Sequence, residues 1–368
     1  MAEPMPWRQS GPRKRAGRRM LFTQSILFII LSIMDSLRVI TVEEHFHHPE
    51  VSAEVRALSG PLPVAPDDGF ATFIQEEFMP DRDSAEQLGG NRLAHMDRAG
   101  IDVQVVSHGA FSPNNLDRTE AVDLCRKVND RLAQQISEHP TRFRGFATIP
   151  LHDPTAAADE MKRCVNELGF VGTLITGTCG GRFLDDERFD PVLAAAEEVD
   201  LPIYVHPGMP DSPASTVPYA GNWPAAVHFT FATHAYGWHM EAGIHIIRLI
   251  LSGALDRHPK LKLLSGHWGE FAAGWLERLD GTFAKTRYLE RTVSDYYRDH
   301  VWVTPSGMYN GNQLHYMLAE VGADRIIHSE DFPYLVRDDV ADFLVQSDLT
   351  EDQRHAIAHR NAEQLMRI

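Results

Sequence analysis

The chain has 368 residues, 43% apolar and 23% charged, with a formal net charge of −16; this is the composition of a globular protein with ample core, not of a disordered one. Its first 33 residues set Arg8, Arg13, Lys14, Arg15, Arg18 and Arg19 against Glu3, a net +5 that leaves −21 on residues 34 to 368. So acidic a body argues against nucleic acid as a partner and requires a local cation to draw in any anionic substrate.

The N-terminal segment is read first. Arg13 to Arg19 precede an apolar run from Leu21 to Met34, an order shared with signal peptides and short anchors. Thr23, Gln24, Ser25 and Ser32 interrupt the run, which is shorter than the roughly 20 apolar residues that span a bilayer, and no A-x-A cleavage site follows. Residues 1–34 are therefore read as an upstream extension with Met34 as the functional start, and residues 35–368 as a single barrel domain. On this reading the protein is cytoplasmic and has no membrane partner; the alternative is a secreted or membrane-anchored protein held through residues 13–34. Cys125, Cys164 and Cys179 are odd in number and lack C-x-x-C spacing, which suits a reducing compartment and buried, unreactive thiols.

Eight strand-like runs then alternate with helical patterns: Val39 to Glu43, Val103 to Ser107, Phe143 to Thr148, Gly172 to Thr176, Ile203 to His206, Leu261 to Ser265, Val301 to Thr304 and Ile326 to Ser329. Between them Thr119 to Glu138 places Ala121, Leu124, Cys125, Val128, Leu132 and Ile136 at helical spacing, and Asp153 before Pro154 marks a capped helix start. Such alternation makes βα units, and eight of them close an α/β barrel of the (β/α)8 TIM type. Two connections exceed the minimal barrel, Pro49 to Asn91 after strand 1 and Met209 to Tyr236 after strand 5. They are read as walls or lids of a pocket, or as an oligomer contact.

Ligand-type residues recur where strand gives way to loop: Glu43 and His45 in VITVEEHF, His206 in PIYVHPG, His267 in KLLSGHWGE and Asp331 in RIIHSEDFPY. Barrel enzymes keep their chemistry at that end. Glu43 and His45, two apart on a strand, point to one side and can hold one ion, with His206 and Asp331 completing the set. Two imidazoles and two carboxylates suit zinc, manganese or iron better than calcium. In GHWGE, one of His267 and Glu270 could meet substrate while the other fixes the imidazole tautomer. Other histidines have plainer readings: His47 and His48 as solvated surface groups, His228, His234, His239 and His245, in or beside the fifth connection, as individually ordinary although one of them could line the pocket, and His328 as a hydrogen-bonded core histidine.

From Leu37 to the C-terminus the chain resembles the metal-dependent, nonoxidative aromatic acid decarboxylases of the amidohydrolase superfamily, and looks closest to γ-resorcylate (2,6-dihydroxybenzoate) decarboxylase and its salicylate and 2,3-dihydroxybenzoate relatives. LRVITVEEHF, RFRGFATIPLHDP, RCVNELGFVG, FLDDERFDP, IYVHP, LSGHWGE, DYYRDHVWVTPSGM and IIHSEDFPY carry the likeness, and the E-x-H form of the first motif is its specific part. The resemblance implies Glu43, His45, His206 and Asp331 as metal ligands, His267 and Glu270 as the active-site pair, and one divalent ion per subunit, zinc, manganese or magnesium, with no organic cofactor. It implies that an ortho-hydroxybenzoate is converted reversibly to a phenol and CO2, in a homodimer or homotetramer. Asp331 is the expected proton donor to the ring carbon, and His267, supported by Glu270, the group that polarises the substrate oxygen. Arg278 in WLERLD also matches the family pattern and is expected to make a structural ion pair behind the site. His108, Phe111, Phe332 and Tyr334 depart from the relatives and are taken as substrate-pocket residues. Two rivals remain: a metal-dependent hydrolase or hydratase of the same scaffold, acting on a lactone, ester or carboxylated substrate through activated water, and a noncatalytic barrel, which would be expected to have lost a ligand.

Overall fold

Among the described residues, mostly apolar runs form seven strands: β1 Ile40–Phe46, β2 Val103–His108, β3 Phe143–Gly145, β4 Thr173–Thr176, β5 Ile203–His206, β6 Leu263–Ser265 and β7 Val301–Val303. The computed structural model describes residues 37–368 apart from 61, 63 and 211; the expectations for residues 1–34, with the domain boundary they imply, lie outside the described residues. Every pairing is parallel, in the orders β1-β2-β3 and β4-β5-β6-β7. Single bridges Ala147–Thr173, Val303–Ile326 and Val42–Ser329 join the two sheets into a closed ring, the TIM barrel that the alternation predicts.

The expected eighth strand, Ile326 to Ser329, is present only as those last two bridges, because the His328 N–H is taken by the Ile357 carbonyl and not by a neighbouring strand. The barrel interior is filled by Ile40, Val42, Val105, Phe146, Leu174, Tyr204, Leu264 and Ile327, and the C-terminal Leu365 and Met366 join that core. Outside it, the predicted stripe of helix α2 (Ala121–Glu138; α1 is Pro49–Leu58) buries Leu124, Cys125, Val128 and Leu132. Helix α3 (Pro154–Leu168) starts as read: the Asp153 carboxylate accepts from Thr155 N and Ala156 N, and Gly169 ends it at φ 70°. All three cysteines are buried and free.

The two long connections are themselves structured. Asp67 in the first accepts from Ala225 N in the second at 2.7 Å, and Phe70, Phe73 and Phe78 pack on Phe229 in a small core of their own. No helix among the described residues is long and apolar enough to cross a membrane.

Helix α4 (Gly237–Leu251) buries His245, whose Nε2 accepts from Leu184 N at 2.9 Å. Burial, with Arg248 nearby, lowers its pKa to about 3, against about 6.5 in an unfolded chain. Between those values the unfolded chain binds the extra proton, so stability falls as pH drops through about 6.5 and continues to fall towards pH 3. The group contributes up to roughly 1.4 kcal/mol per pH unit in that window. Thermal melts of His245→Gln across this range should show a shallower loss of stability with acid than the parent.

Candidate metal centre and active site

The E-x-H pair does not sit on regular strand. The β1–β2 register shifts between Thr41 and Glu44, and Glu43 adopts φ 72°, so a bulge replaces the simple alternation. The two side chains still reach a common centre. Glu43 Oε1 lies 3.6 Å from His206 Nε2, and His45 Nε2 lies 3.4 Å from Asp331 Oδ1. His45, His206 and Asp331 each offer a ligand atom within 4.8 Å of the others. Metal–ligand bonds of roughly 2.0–2.2 Å put ligand atoms roughly 3–4 Å apart, so these spacings suit one divalent ion.

Two further observations test that fit. Glu43 Oε1 and His45 Nε2 are buried without a hydrogen-bond partner, which a cation would supply. Burial also pushes the Glu43 carboxyl above its ordinary range, with His267 only partly offsetting this; a bound cation would favour the charged form.

The supporting contacts set each tautomer. The Ser107 hydroxyl donates to the Glu44 carbonyl at 3.3 Å and accepts from His45 Nδ1 at 2.9 Å, leaving Nε2 as the free lone pair. His206 Nδ1 donates to the Pro207 carbonyl at 2.6 Å, and burial lowers its pKa to about 3. Thr304 and Ser306 both donate to Glu43 Oε2. A side chain at Gly266 would bring a Cβ to 2.6 Å from Glu43 Oε1 and 2.9 Å from the Tyr204 hydroxyl. Gly266→Ala should therefore weaken manganese binding on the order of tenfold, read by competition with a chelator; unchanged affinity would mean that Glu43 is not a ligand.

Glu44, passed over in the sequence, turns the opposite way. Its carboxylate accepts from Glu330 N at 3.0 Å and from Phe332 N at 2.9 Å, the two amides that bracket Asp331. Asp331 itself is held at φ 75°, a conformation that costs a non-glycine residue on the order of 1–3 kcal/mol unless its surroundings impose it. Behind this clamp, buried Arg92 donates to the His45 carbonyl and lies over the Phe332 ring, and His95 pairs with Glu330 at 2.8 Å.

GHWGE is not an ordinary loop. His267, Trp268, Gly269, Glu270 and Phe271 all take positive φ, a left-handed turn that brings His267 Nδ1 to 2.7 Å from Glu270 Oε1. His267 Nε2 is left facing Asp331 Oδ2 at 3.8 Å. Burial disfavours charge on His267, but Glu270, Glu43 and Asp331 outweigh it and raise the pKa well above the ordinary value. Burial likewise opposes ionisation of Asp331, yet the facing imidazoles of His267 and His45 hold it below the carboxylate range. The two shifts run in opposite directions, towards a charged imidazole on His267 and a charged carboxylate on Asp331. His239, read as ordinary, is the other residue that the sequence did not reveal: its Nδ1 lies 2.9 Å from Glu270 Oε2, placing the Glu270 carboxylate between two imidazoles.

These groups open on a cavity of about 1230 Å³ that is also lined by Phe111, Tyr334, His234 and, from the long connections, Leu62, Ile74, Phe78 and Met209. Two expected pocket residues are not among its walls. His108 is buried behind β1, accepting from His48 N, and Phe332 is buried against His95 at 4.7 Å between ring centres. The ring that Phe332 might have offered to substrate instead covers the Glu330–His95 pair. His47 is buried, not solvated, and bonded to the Tyr334 hydroxyl at 2.7 Å. Arg278 is exposed on the helix Leu276–Phe283, with no carboxylate within 4.0 Å among the described residues, so the expected ion pair behind the site is not formed.

Comparison with known proteins adds to this geometry. The sequence pattern of the Amidohydrolase family matches residues 42–368. The chain is 35% identical to "Decarboxylase orsB" of Emericella nidulans over 78% of this chain and 87% of that one. It is 33% identical to the gamma-resorcylate decarboxylase of Polaromonas sp. over 83% and 98% of the two chains. A crystal structure of a dihydroxybenzoic acid decarboxylase from Polaromonas sp., with bound manganese and the inhibitor 2-nitroresorcinol, superposes with a TM-score of 0.76 at 29% identity, covering 90% of this chain and 97% of that one.

Proposed function

The chain belongs to the amidohydrolase family, and from that premise we propose that it is a metal-dependent, nonoxidative carboxy-lyase that converts an ortho-hydroxybenzoate reversibly to a phenol and CO2. The observation that carries this reading is the convergence of Glu43, His45, His206 and Asp331 beside His267 at the floor of one cavity. Those four side chains would hold one divalent ion, manganese or zinc, and manganese is the metal in the similar Polaromonas structure. When bound, the ion supplies fixed positive charge for the carboxylate and its neighbouring oxygen, in a body otherwise too acidic to attract an anion.

The proton steps fall to the chain's own residues. Asp331, ionised before substrate enters, takes the proton of the ortho-hydroxyl at its carboxylate. It then returns that proton to the ring carbon bearing the carboxylate. Loss of CO2 from that carbon restores aromaticity. His267 Nε2–H, held by the Nδ1 contact to Glu270, delivers a second proton to the phenolate oxygen and is recharged from solvent. Asp331 thus acts first as base and then as acid, which reconciles its depressed pKa with the donor role expected of it. Tyr334 lines the same cavity, its hydroxyl fixed by Ala110 N at 2.7 Å, and presents its ring towards the substrate.

The reading includes a homodimer or homotetramer, supported by exposed Trp275, Tyr288 and Val217, and a cytoplasmic enzyme starting near Met34. The test is elemental analysis of the purified protein combined with ultraviolet assay of a panel of 2-hydroxybenzoates. One equivalent of transition metal with loss of the ring carboxylate is expected. Bound metal with turnover of lactones or esters alone would replace the decarboxylase by a hydrolase, and a protein that takes up no metal would overturn the site.

A further inference from the structure

We propose that His239, Glu270 and His267 form a second, inhibitory zinc site beside the first. Each of the three offers a ligand atom within 4.8 Å of the others, and all three line the cavity, so an ion from solution can reach them. Glu270 presents one carboxylate oxygen to each ring, at 2.9 Å from His239 Nδ1 and 2.7 Å from His267 Nδ1. Two imidazole nitrogens and one carboxylate, with the remaining position open to the cavity, form a donor set that zinc favours.

The surroundings of His239 make it able to serve as a ligand. A neutral imidazole has one N–H and one lone pair, and both tautomers of this ring find partners. With the proton on Nδ1 the ring donates to Glu270, while Nε2 accepts from Trp238 Nε1 at 3.1 Å. With the proton on Nε2 it donates to the His234 carbonyl at 3.0 Å, and Nδ1 is left as a free lone pair pointing at Glu270. An entering ion thus needs the His239 proton to move from one ring nitrogen to the other and the His267 Nδ1 proton to leave to solvent, while the half-buried Trp238 Nε1–H, which lines the cavity, turns from His239 to water. A hydrogen-bonded triad built only to orient His267 has no use for that second acceptor.

Occupation would inhibit, because it takes the Nδ1 of His267 from Glu270 and fixes that ring as a ligand. The site uses none of Glu43, His45, His206 or Asp331, so it can be filled while the first ion stays in place. Only the inhibition arm of the test rests on the decarboxylase reading; the binding arm stands without it.

The experiment starts from full-length enzyme holding one equivalent of zinc. Further zinc is titrated calorimetrically, and the rate on a 2-hydroxybenzoate is followed in parallel, for the parent and for His239→Asn. The parent should bind one equivalent more than the variant and lose activity by about a hundredfold as it fills. His239→Asn should keep the first equivalent and retain its own rate in excess zinc. Equal stoichiometry in parent and variant would overturn the site, as would binding of the extra equivalent without inhibition of a working enzyme. A protein that binds both ions but decarboxylates nothing would sustain the site as a zinc site, remove its inhibitory role, and refute the proposed function instead.

Discussion

Asp331→Asn should lower kcat by about a thousandfold, within the range that general acid–base groups supply, while the variant still takes up manganese. Asparagine keeps one carbonyl oxygen near His45, where the parent places Oδ1 at 3.4 Å, but an amide can neither accept the hydroxyl proton nor return it to the ring. The backbone tolerates the exchange, because asparagine is among the residues that adopt the φ of 75° found here. The measurement is the rate of aromatic acid loss at saturating manganese, with metal content determined on the same sample. Loss of turnover with metal retained separates the proton role from ligation. A variant that turns over at the parent rate would remove Asp331 from the proton path and leave His267 as the acid.

Glu44→Gln should weaken metal binding by about 10- to 100-fold, the usual effect of losing a group that orients a ligand, although Glu44 faces away from the metal centre. The parent carboxylate gives each flanking amide an acceptor, Glu330 N at 3.0 Å and Phe332 N at 2.9 Å. Glutamine offers a single oxygen and turns an N–H towards the second amide, so one buried donor goes unpaired at about 1–3 kcal/mol. Asp331 then loses part of the frame that holds it at positive φ. Chelator competition for manganese and the thermal midpoint of the metal-free protein are the two readouts. Because the substitution conserves shape, a residue that merely filled space would leave both unchanged. If only the midpoint fell, the clamp would be structural without orienting the ligand.

The barrel was legible because most of its strands are short apolar runs that alternate with longer helical patterns, and because the helices between them carry unmistakable stripes, as Leu124, Cys125, Val128 and Leu132 do. The cluster of ligand-type side chains was legible for a related reason. Where apolar runs end in Glu43, His45, His206 and Asp331, polar residues stand at strand ends, where folding has no use for them unless they meet. The eighth strand was over-read, since no local pattern could announce that Ile357 would take the His328 N–H. The left-handed turn at GHWGE was equally hidden. His267 and Trp268 disfavour positive φ, and contacts such as His267 N to Ser306 Oγ and Trp268 N to the Thr304 carbonyl hold them there.

The amino-acid sequence by itself determined the α/β alternation, the helix caps and the metal-type side chains, because propensity, periodicity and capping act within a few neighbouring residues. Only the tertiary structure decided that Glu44 serves Asp331, that His239 shares Glu270 with His267, and that Phe332 and His108 face away from the cavity. The Glu44 bond to Phe332 joins positions 288 apart. A carboxylate's role at that separation depends on which backbone amides the closing barrel leaves without partners, and nothing adjacent to it in the chain records that.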